Sequence, residues 1–282
     1  MSVVKNLSKH RLIAASTATA GMAAAVTAFA IAGTASAADS ASGTWTKPTI
    51  VLEHGAFADG SSWNGVMEKL RKDGYPVVAA ANPLRGVASD AAQLRTVIDH
   101  IDGPVVLVGH SYGGSVITEA GADNPKVKGL VYVAAFLPAP GESALRLTNQ
   151  FPGSTLPGTL DPVTFTTPDG STGTDLYIQQ DKFHHQFAAD VSAKDAALAA
   201  AAQRPVAQSA LEEKETGPAA WTQKPSWDIV TTQDLNIPPA AQRFMAQRAG
   251  AHVTEVKASH SVAVSRPGTV ADVIEQAARA TR

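Results

Sequence analysis

The chain has 282 residues, of which 44% are hydrophobic and 17% are charged, a balance typical of a globular protein with a sizeable core. The net charge is −2, with no long block of one sign. This gives no electrostatic basis for binding nucleic acid or an anionic membrane surface. The absence of cysteine excludes a cysteine nucleophile and thiolate metal sites, and no feature indicates an obligate protein partner.

Residues 1–37 have the pattern of a secretory signal peptide. Three basic residues come first: Lys5, Lys9 and Arg11. An apolar, alanine-rich stretch follows over residues 12–33, and the Ala-Ser-Ala sequence at 35–37 has the small side chains that signal peptidase requires. We expect cleavage after Ala37, a secreted extracellular protein and no membrane attachment after cleavage. A retained anchor is the alternative, because the apolar run approaches the ~20 residues that span a bilayer.

The small, polar residues 38–45 predict a flexible mature N-terminus. From residue 46 short apolar runs alternate with amphipathic segments, as in an α/β fold. The predicted strands are 48–52, 76–79, 104–108 and 127–135, and the predicted helices between them are 63–72, 90–101 and 115–122. Continuous apolar strands separated by helices predict a doubly wound, mostly parallel sheet, in which ligands bind at the carboxyl ends of the strands.

The alternation stops after Pro138 and resumes near residue 227. Residues 139–224 are rich in Pro, Gly and Thr, with a Pro-Asp-Gly turn at 168–170 between two short predicted strands and a helical stretch over about 177–208. We interpret this region as an inserted cap within one domain over residues 46–282. A separate domain is the alternative, although this composition would make a poor independent core. The predicted elements after it are strands 227–232 and 253–256 and helices 239–249 and 270–280.

The sequence Gly109-His110-Ser111-Tyr112-Gly113 fits the G-x-S-x-G pattern. It follows a predicted strand and precedes a predicted helix, the context in which this motif forms a nucleophile elbow. The serine then lies at a helix N-terminus, which favours a developing negative charge. We therefore predict Ser111 as a nucleophile.

A carbonyl attacked by Ser111 would need two N–H donors for the oxyanion that forms. One is expected from the backbone of Tyr112, and the other from the loop after an earlier strand. The His54-Gly55-Ala56-Phe57 segment fits that loop: Gly55 permits close approach, and Ala56 is the candidate donor.

The general base should be a histidine that follows the last strand, and the acid should precede it in the chain. Of the eight histidines, only His260 has this position. Asp234, in the loop after the strand at 227–232, is the candidate acid that orients the imidazole. Asp228 and Glu142 are weaker alternatives. His184 and His185 are expected to be cap residues, because no third ligand accompanies them at metal-site spacing.

We expect the substrate pocket between the top of the sheet and the cap. For His110, packing beside the elbow is the alternative to lining this pocket. The candidate pocket residues are Gly55, Phe57, His110, Phe136, Phe183 and Phe187.

The Gly-His-Ser-Tyr-Gly-Gly elbow at 109–114, the His54-Gly55 loop and the order Ser111, Asp234, His260 make the chain resemble an α/β-hydrolase over residues 46–282. Within that superfamily it is similar to the small esterases related to plant methylesterases and hydroxynitrile lyases. The resemblance implies a serine hydrolase that cleaves a small-molecule carboxylic ester through an acyl-enzyme, with no cofactor or metal.

The chain departs from the lyases of that group at two positions. The lyases carry a threonine after the oxyanion-loop histidine and a lysine after the catalytic histidine, where this chain has Gly55 and Ser261. The departure favours ester hydrolysis. Hydroxynitrile-lyase-like chemistry, a cofactor-free haloperoxidase or perhydrolase activity, and a non-catalytic binding module remain alternatives.

Overall fold

The computed structural model describes residues 46–282. The predicted signal peptide (1–37) and the expected flexible segment (38–45) lie outside the described residues. Among the helices that are described, none is both long and apolar enough to cross a bilayer.

The centre of the domain is a six-stranded sheet in the order β2-β1-β3-β4-β8-β9, in which every pairing is parallel. Its strands are β1 (Thr49–Glu53), β2 (Val77–Ala80), β3 (Val105–His110), β4 (Val127–Val133), β8 (Ser226–Thr231) and β9 (His252–Val256). The doubly wound α/β fold predicted from the sequence is confirmed. The bounds differ slightly: β3 runs two residues beyond its predicted end, and His252 opens β9 instead of preceding it.

Different helices cover the two faces of this sheet, because successive side chains along a strand point to opposite faces. The flanking helices are α1 (Asn64–Lys72), α2 (Val87–His100), α3 (Gly113–Ala120), α8 (Pro239–Ala249) and α10 (Pro267–Ala280). Val106 and Val108 of β3 belong to the core cluster that includes α1 and α10. Val105 and Leu107 belong to the cluster with α2, α3 and α8. All four side chains are fully buried, which explains why this strand is continuously apolar.

Helix α8 has the bounds that its end residues predict. It begins at Pro239, where a fixed φ suits the first turn. It ends before Gly250, which adopts a left-handed conformation with φ of 62° and so terminates the helix.

Residues 139–224, the segment interpreted above as a cap and called the cap below, contain a small antiparallel sheet of β5 (Leu160–Thr166), β6 (Thr172–Ile178) and β7 (Val206–Ala207). The turn predicted at 168–170 does connect two short strands, and the Asp169 carboxylate accepts the N–H of Ser171 at 3.0 Å there. The cap helices are α4 (Ala144–Asn149), α5 (Gln180–Phe187), α6 (Ala193–Ala202) and α7 (Gln208–Glu212). Ala207 of the cap donates its N–H to the carbonyl of Leu84, which follows β2, at 2.9 Å.

The prediction of one helical stretch over 177–208 is wrong. Residues 177 and 178 belong to β6, two separate helices (α5 and α6) follow, and residues 206 and 207 form β7 before α7 begins at residue 208. The division occurs at Ser192, whose hydroxyl accepts the N–H of Asp195 at 3.1 Å and caps the start of α6. A serine in this role starts a new helix.

Candidate active site

A sharp turn between β3 and α3 carries Ser111. This residue has φ of 54°, a conformation that costs free energy for a non-glycine residue and is often found at functional sites. A Cβ atom at Gly109 would lie 2.6 Å from the carbonyl oxygen of Gly113, so the turn closes only without a side chain there. The Ser111 carbonyl accepts N–H groups from Gly114 at 3.0 Å and Phe136 at 3.1 Å. The strand–turn–helix geometry of a nucleophile elbow is therefore present.

The loop after β1 packs directly against this elbow. A Cβ atom at Gly55 would lie 2.7 Å from Ser111 Cβ and 3.2 Å from the backbone nitrogen of Tyr112. Any side chain at position 55 would therefore collide with the nucleophile's own side chain.

Hydrogen bonds fix the position of this loop. The backbone of Asn82 donates to His54 Nε2 at 3.1 Å, and the Asn82 amide donates to the His54 carbonyl at 2.8 Å. Burial is the main cause that lowers the pKa of His54, in agreement with a neutral ring that accepts at Nε2. The N–H of Phe57 donates to the carbonyl of Arg204 in the cap at 3.0 Å.

The backbone N–H groups of Ala56 and Tyr112, beside Ser111, have no hydrogen-bond acceptor within residues 46–282. Both residues line the same cavity as Ser111. They are the two donors expected from the sequence, and they are free to stabilise an anion formed on a group bound at Ser111.

The loop after β9 carries His260, immediately before Ser261 and the short helix α9 (Val262–Ser265). His260 Nδ1 lies 2.7 Å from Asp234 Oδ2, and both side chains are almost fully buried. The structure therefore brings together the two residues chosen for base and acid, which are far apart in the sequence. Because Nδ1 is paired with Asp234, Nε2 is the ring nitrogen left for a second partner in the cavity that His260 and Ser111 both line.

Several donors hold the Asp234 carboxylate. Oδ1 accepts the N–H groups of Asn236 at 2.8 Å and Ile237 at 3.0 Å. Oδ2 accepts from the amide of Gln242 at 3.0 Å and the hydroxyl of Thr231 at 2.9 Å. Burial alone would raise the pKa of Asp234, but the charge and hydrogen bond of His260, with the two N–H groups, hold this pKa below its usual value. The carboxylate stays ionised and can stabilise a protonated imidazole.

The two alternative acids have other surroundings. Asp228 is fully buried in β8, and neither of its carboxyl oxygens has a hydrogen-bond partner in the described part of the chain. Burial raises the pKa of Asp228 well above its usual range, so the group is neutral. Glu142 accepts from the N–H of Ala139 at 2.9 Å and from Arg248 at 2.8 Å, so it is engaged in an ion pair elsewhere.

Ser111 opens into a cavity of about 250 Å³ between the sheet and the cap. Phe57 and Phe136 line it, as predicted, together with residues of α4 and α7. Four of the predicted pocket residues do not line it, which corrects the expectation for Gly55, His110, Phe183 and Phe187. Gly55 contributes no side chain, and the space that a side chain there would need is occupied by the elbow.

His110 packs behind the elbow. Its ring is perpendicular to that of Trp63, with centroids 6.2 Å apart, and its Nε2 donates to the backbone carbonyl of His260 at 2.9 Å. Burial, followed by the nearby His260, lowers the pKa of His110 to about 3. His110 is therefore a neutral ring that supports the backbone of the base.

The two cap phenylalanines that were predicted as pocket residues face a second cavity of about 420 Å³. Phe183 and Phe187 line this cavity, and Phe187 contacts the ring of Phe57 edge to face with centroids 6.1 Å apart. Phe57 lines both cavities, so its ring lies between them.

Two further polar residues were missed from the sequence. Gln242, in α8, donates to Asp234, and its side-chain oxygen accepts the N–H of Thr231 at 2.9 Å. Asn82 holds the His54 loop. Neither amide belongs to a sequence motif, so only the folded geometry reveals these two residues.

The cap histidines do not form a metal site with any other described residues. His184 donates a ring N–H to the Val191 carbonyl within the cap at 3.0 Å. Among residues 46–282 no group of three or more His, Asp or Glu residues is arranged to hold a metal ion.

Residues 50–273 match the alpha/beta hydrolase family. The chain belongs to this family. Among curated relatives, the alpha/beta hydrolase nvfD of Aspergillus novofumigatus is 27% identical over 254 residues, which covers 82% of this chain and 97% of that protein. A carbendazim hydrolyzing esterase of Nocardioides sp. is 37% identical over 111 residues, which covers 34% of this chain and 46% of the esterase, less than half its length.

Solved structures support the same fold. Polyneuridine aldehyde esterase superposes with a TM-score of 0.72 at 21% identity, over 82% of this chain and 99% of that chain. A pyrethroid hydrolase from Sphingobium faniae JZ-2 superposes with a TM-score of 0.67 at 23% identity, over 83% and 98%. The α/β-hydrolase resemblance inferred from the elbow and the order of the three residues is confirmed.

Proposed function

We propose that this α/β-hydrolase is a serine esterase that cleaves carboxylic esters through an acyl-enzyme on Ser111. One observation carries the proposal: the His260–Asp234 pair, at 2.7 Å, lies in the same cavity as a serine held at a strained elbow. The proposed reaction needs no cofactor, and the expected partner is a small-molecule ester.

In the proposed reaction, His260 Nε2 takes the proton of the Ser111 hydroxyl as Oγ attacks the ester carbonyl. The oxyanion lies between the N–H groups of Ala56 and Tyr112, each of which lowers the barrier by roughly 3 kcal/mol. His260 then gives its proton to the departing alcohol. A water molecule, activated by the same imidazole, hydrolyses the acyl-enzyme and restores Ser111. Asp234 stabilises the imidazolium at both stages.

The relatives and the cavity support an ester as substrate. Two curated relatives bear the names carbendazim hydrolyzing esterase and pyrethroid hydrolase. The cavity wall is mainly apolar, with Phe57, Phe136 and Leu156 among its members. An apolar wall with a few polar groups suits a small or medium acyl ester.

Cyanohydrin cleavage is less compatible with the site. A threonine at position 55 would collide with Ser111 Cβ. Ser261, at the position of the lyase lysine, donates its hydroxyl to the Phe187 carbonyl at 2.9 Å and lines the second cavity. Neither lyase side chain is therefore supplied at the reacting carbon.

Ser111→Ala tests the proposal, with Ser115→Ala as the matched control. Ser115 lies in α3 close to the nucleophile, and its buried hydroxyl has no partner in the described residues. We expect Ser111→Ala to lower kcat/KM on 4-nitrophenyl esters at least 1,000-fold, because loss of a serine nucleophile can lower kcat by about 10⁶-fold, while Ser115→Ala retains activity. A fluorophosphonate probe should label the wild-type protein and the control only. Wild-type turnover by Ser111→Ala would refute the mechanism.

We also propose export, on the basis of the pattern at residues 1–37. N-terminal sequencing of protein recovered from the culture medium should begin at Ala38. Full-length protein retained with the cells would contradict this and favour the anchor.

A further inference from the structure

Asn236 is a polar residue of the cavity wall that the mechanism above does not use as a side chain. It follows the candidate acid by two positions, its backbone N–H donates to Asp234, and only 3% of its surface is exposed. It lines the cavity that contains Ser111 and His260. Its side-chain nitrogen, Nδ2, is buried and has no hydrogen-bond partner among the described residues.

Neighbouring hydrogen bonds fix which way this amide is turned. The amide nitrogen of Gln186 lies 2.8 Å from the carbonyl oxygen of Leu235. A carbonyl can only accept, so the Gln186 atom there must be the NH₂ group. The same NH₂ lies 2.8 Å from the Asn236 side chain and requires an acceptor. The Asn236 oxygen must therefore face Gln186.

The second acceptor of this network is consistent with that orientation. The Gln186 side-chain oxygen accepts the hydroxyl of Thr155 at 2.8 Å, and Gln186 is itself buried. Gln186 and Thr155 lie outside the cavity lining, whereas Asn236 is part of it. The side-chain oxygen of Asn236 therefore accepts from Gln186 outside the cavity lining, and the two N–H donors of Nδ2 remain without a partner in residues 46–282.

An unused buried donor is unfavourable, and native proteins rarely retain one without a partner. None of the other residues that line the cavity, including the polar Asn149, Ser154, Gln208 and Glu212, accepts a hydrogen bond from Nδ2. Phe57, Phe136 and Ile237 are apolar, and the Thr148 hydroxyl donates to the Ala144 carbonyl at 3.0 Å within its own helix. A molecule bound in the cavity would supply the acceptor that Nδ2 lacks.

We propose that Asn236 Nδ2 donates a hydrogen bond to a second oxygen of the substrate, separate from the reacting ester group. The preferred substrates are then esters that carry a further acceptor, such as a ketone or ether oxygen, in an otherwise apolar body. This assignment rests on the proposed esterase function and specifies its substrate class. Asn236 acts as a specificity residue, since a site with a buried donor disfavours a ligand that leaves the donor unpaired.

The test uses ester pairs that differ mainly in one acceptor oxygen. The first pair is 4-nitrophenyl methoxyacetate and butanoate, the second is 4-nitrophenyl 4-oxopentanoate and 4-methylpentanoate, and the third is 2-methoxyethyl and butyl acetate. For each pair the preference is the ratio of the two kcat/KM values. This ratio is compared between wild type and Asn236→Leu, so intrinsic ester reactivity cancels. It is also independent of the folded fraction, because one sample supplies both values.

Thr148→Val is the matched control. It removes a polar group from the same cavity wall, but the hydroxyl of Thr148 already donates its hydrogen bond to the protein itself. We expect Asn236→Leu to lower the preference for the acceptor-bearing ester about tenfold in at least one pair. Thr148→Val should leave all three preferences within twofold. If Asn236→Leu is not folded, Asn236→Ala provides the same ratios.

Three results would overturn the assignment in distinguishable ways. Unchanged preferences in all three pairs, with Ser111→Ala inactive, would reject the role of Asn236 and leave the esterase proposal intact. Equal shifts in Thr148→Val and Asn236→Leu would also reject it, since the preference would then reflect general cavity polarity. A folded wild-type protein that hydrolyses none of these esters would reject both proposals.

Discussion

Glu53 should make folding strongly dependent on pH. It is the last residue of β1, only 1% of its surface is exposed, and its Oε2 has no partner within the described residues. Burial, and then the nearby Asp90, raises the pKa of Glu53 to about 8 from an ordinary value of 4.5. The folded protein therefore holds this carboxyl neutral at pH 7, whereas the unfolded chain ionises it.

The magnitude follows from the two pKa values. A folded pKa above the unfolded one means that the unfolded state loses its proton first, so stability falls as the pH rises from 4.5 to about 8. Each pH unit in this window costs about 1.4 kcal/mol, which gives about 3 kcal/mol at pH 7. Below pH 4 both states are protonated and the group contributes little. Glu53→Gln removes this titration.

Urea unfolding at pH 4 and pH 7 measures the effect. The free energy of unfolding of Glu53→Gln minus that of wild type should be larger at pH 7 than at pH 4 by about 3 kcal/mol, because only wild type loses stability as the pH rises. Any constant cost of the new amide cancels in this difference. Glu68→Gln, on the exposed side of α1, is the control and should change stability by less than about 0.5 kcal/mol at either pH. A difference for Glu53→Gln that does not vary with pH would refute the reasoning.

Two further substitutions test the site. Asp234→Asn should keep the fold but lower kcat about 10⁴-fold, because the imidazole loses the anion that orients and stabilises it. The assay is hydrolysis of 4-nitrophenyl butanoate, and activity within tenfold of wild type would exclude Asp234 as the acid. Phe57→Ala should join the cavities of about 250 and 420 Å³ that its ring separates and move the preferred acyl chain to greater length. A graded series of 4-nitrophenyl esters measures this, and an unchanged chain-length optimum would show that Phe57 is not a barrier.

The sequence was sufficient for the parts of the site that depend on local backbone geometry. A serine flanked by glycines between an apolar strand and a helix can form few other structures, so Ser111 was identified from its context. His260 and Asp234 followed from their positions after β9 and β8, because the carboxyl ends of parallel strands meet at one edge of the sheet.

The parts that depend on side-chain direction were not predictable. His110 lies beside the nucleophile in sequence but behind it in space, because successive residues at the end of a strand point to opposite faces. Phe183 and Phe187 were placed in the substrate pocket because they belong to the cap. Their helix instead turns them towards the second cavity. Asn236 could not be recognised, since its significance depends on the hydrogen bonds of Gln186 in a different part of the chain.

The hydrogen bond from Phe57 to Arg204 has a consequence for engineering. The loop that presents Ala56, one candidate anion donor, is hydrogen-bonded to the cap through this contact, and the N–H of Ala207 forms a second hydrogen bond between the cap and the rest of the domain at Leu84. Replacing the cap with that of a relative would therefore lower turnover on every substrate as well as change selectivity. Grafts that retain residues 204–207 should be the ones that preserve rate.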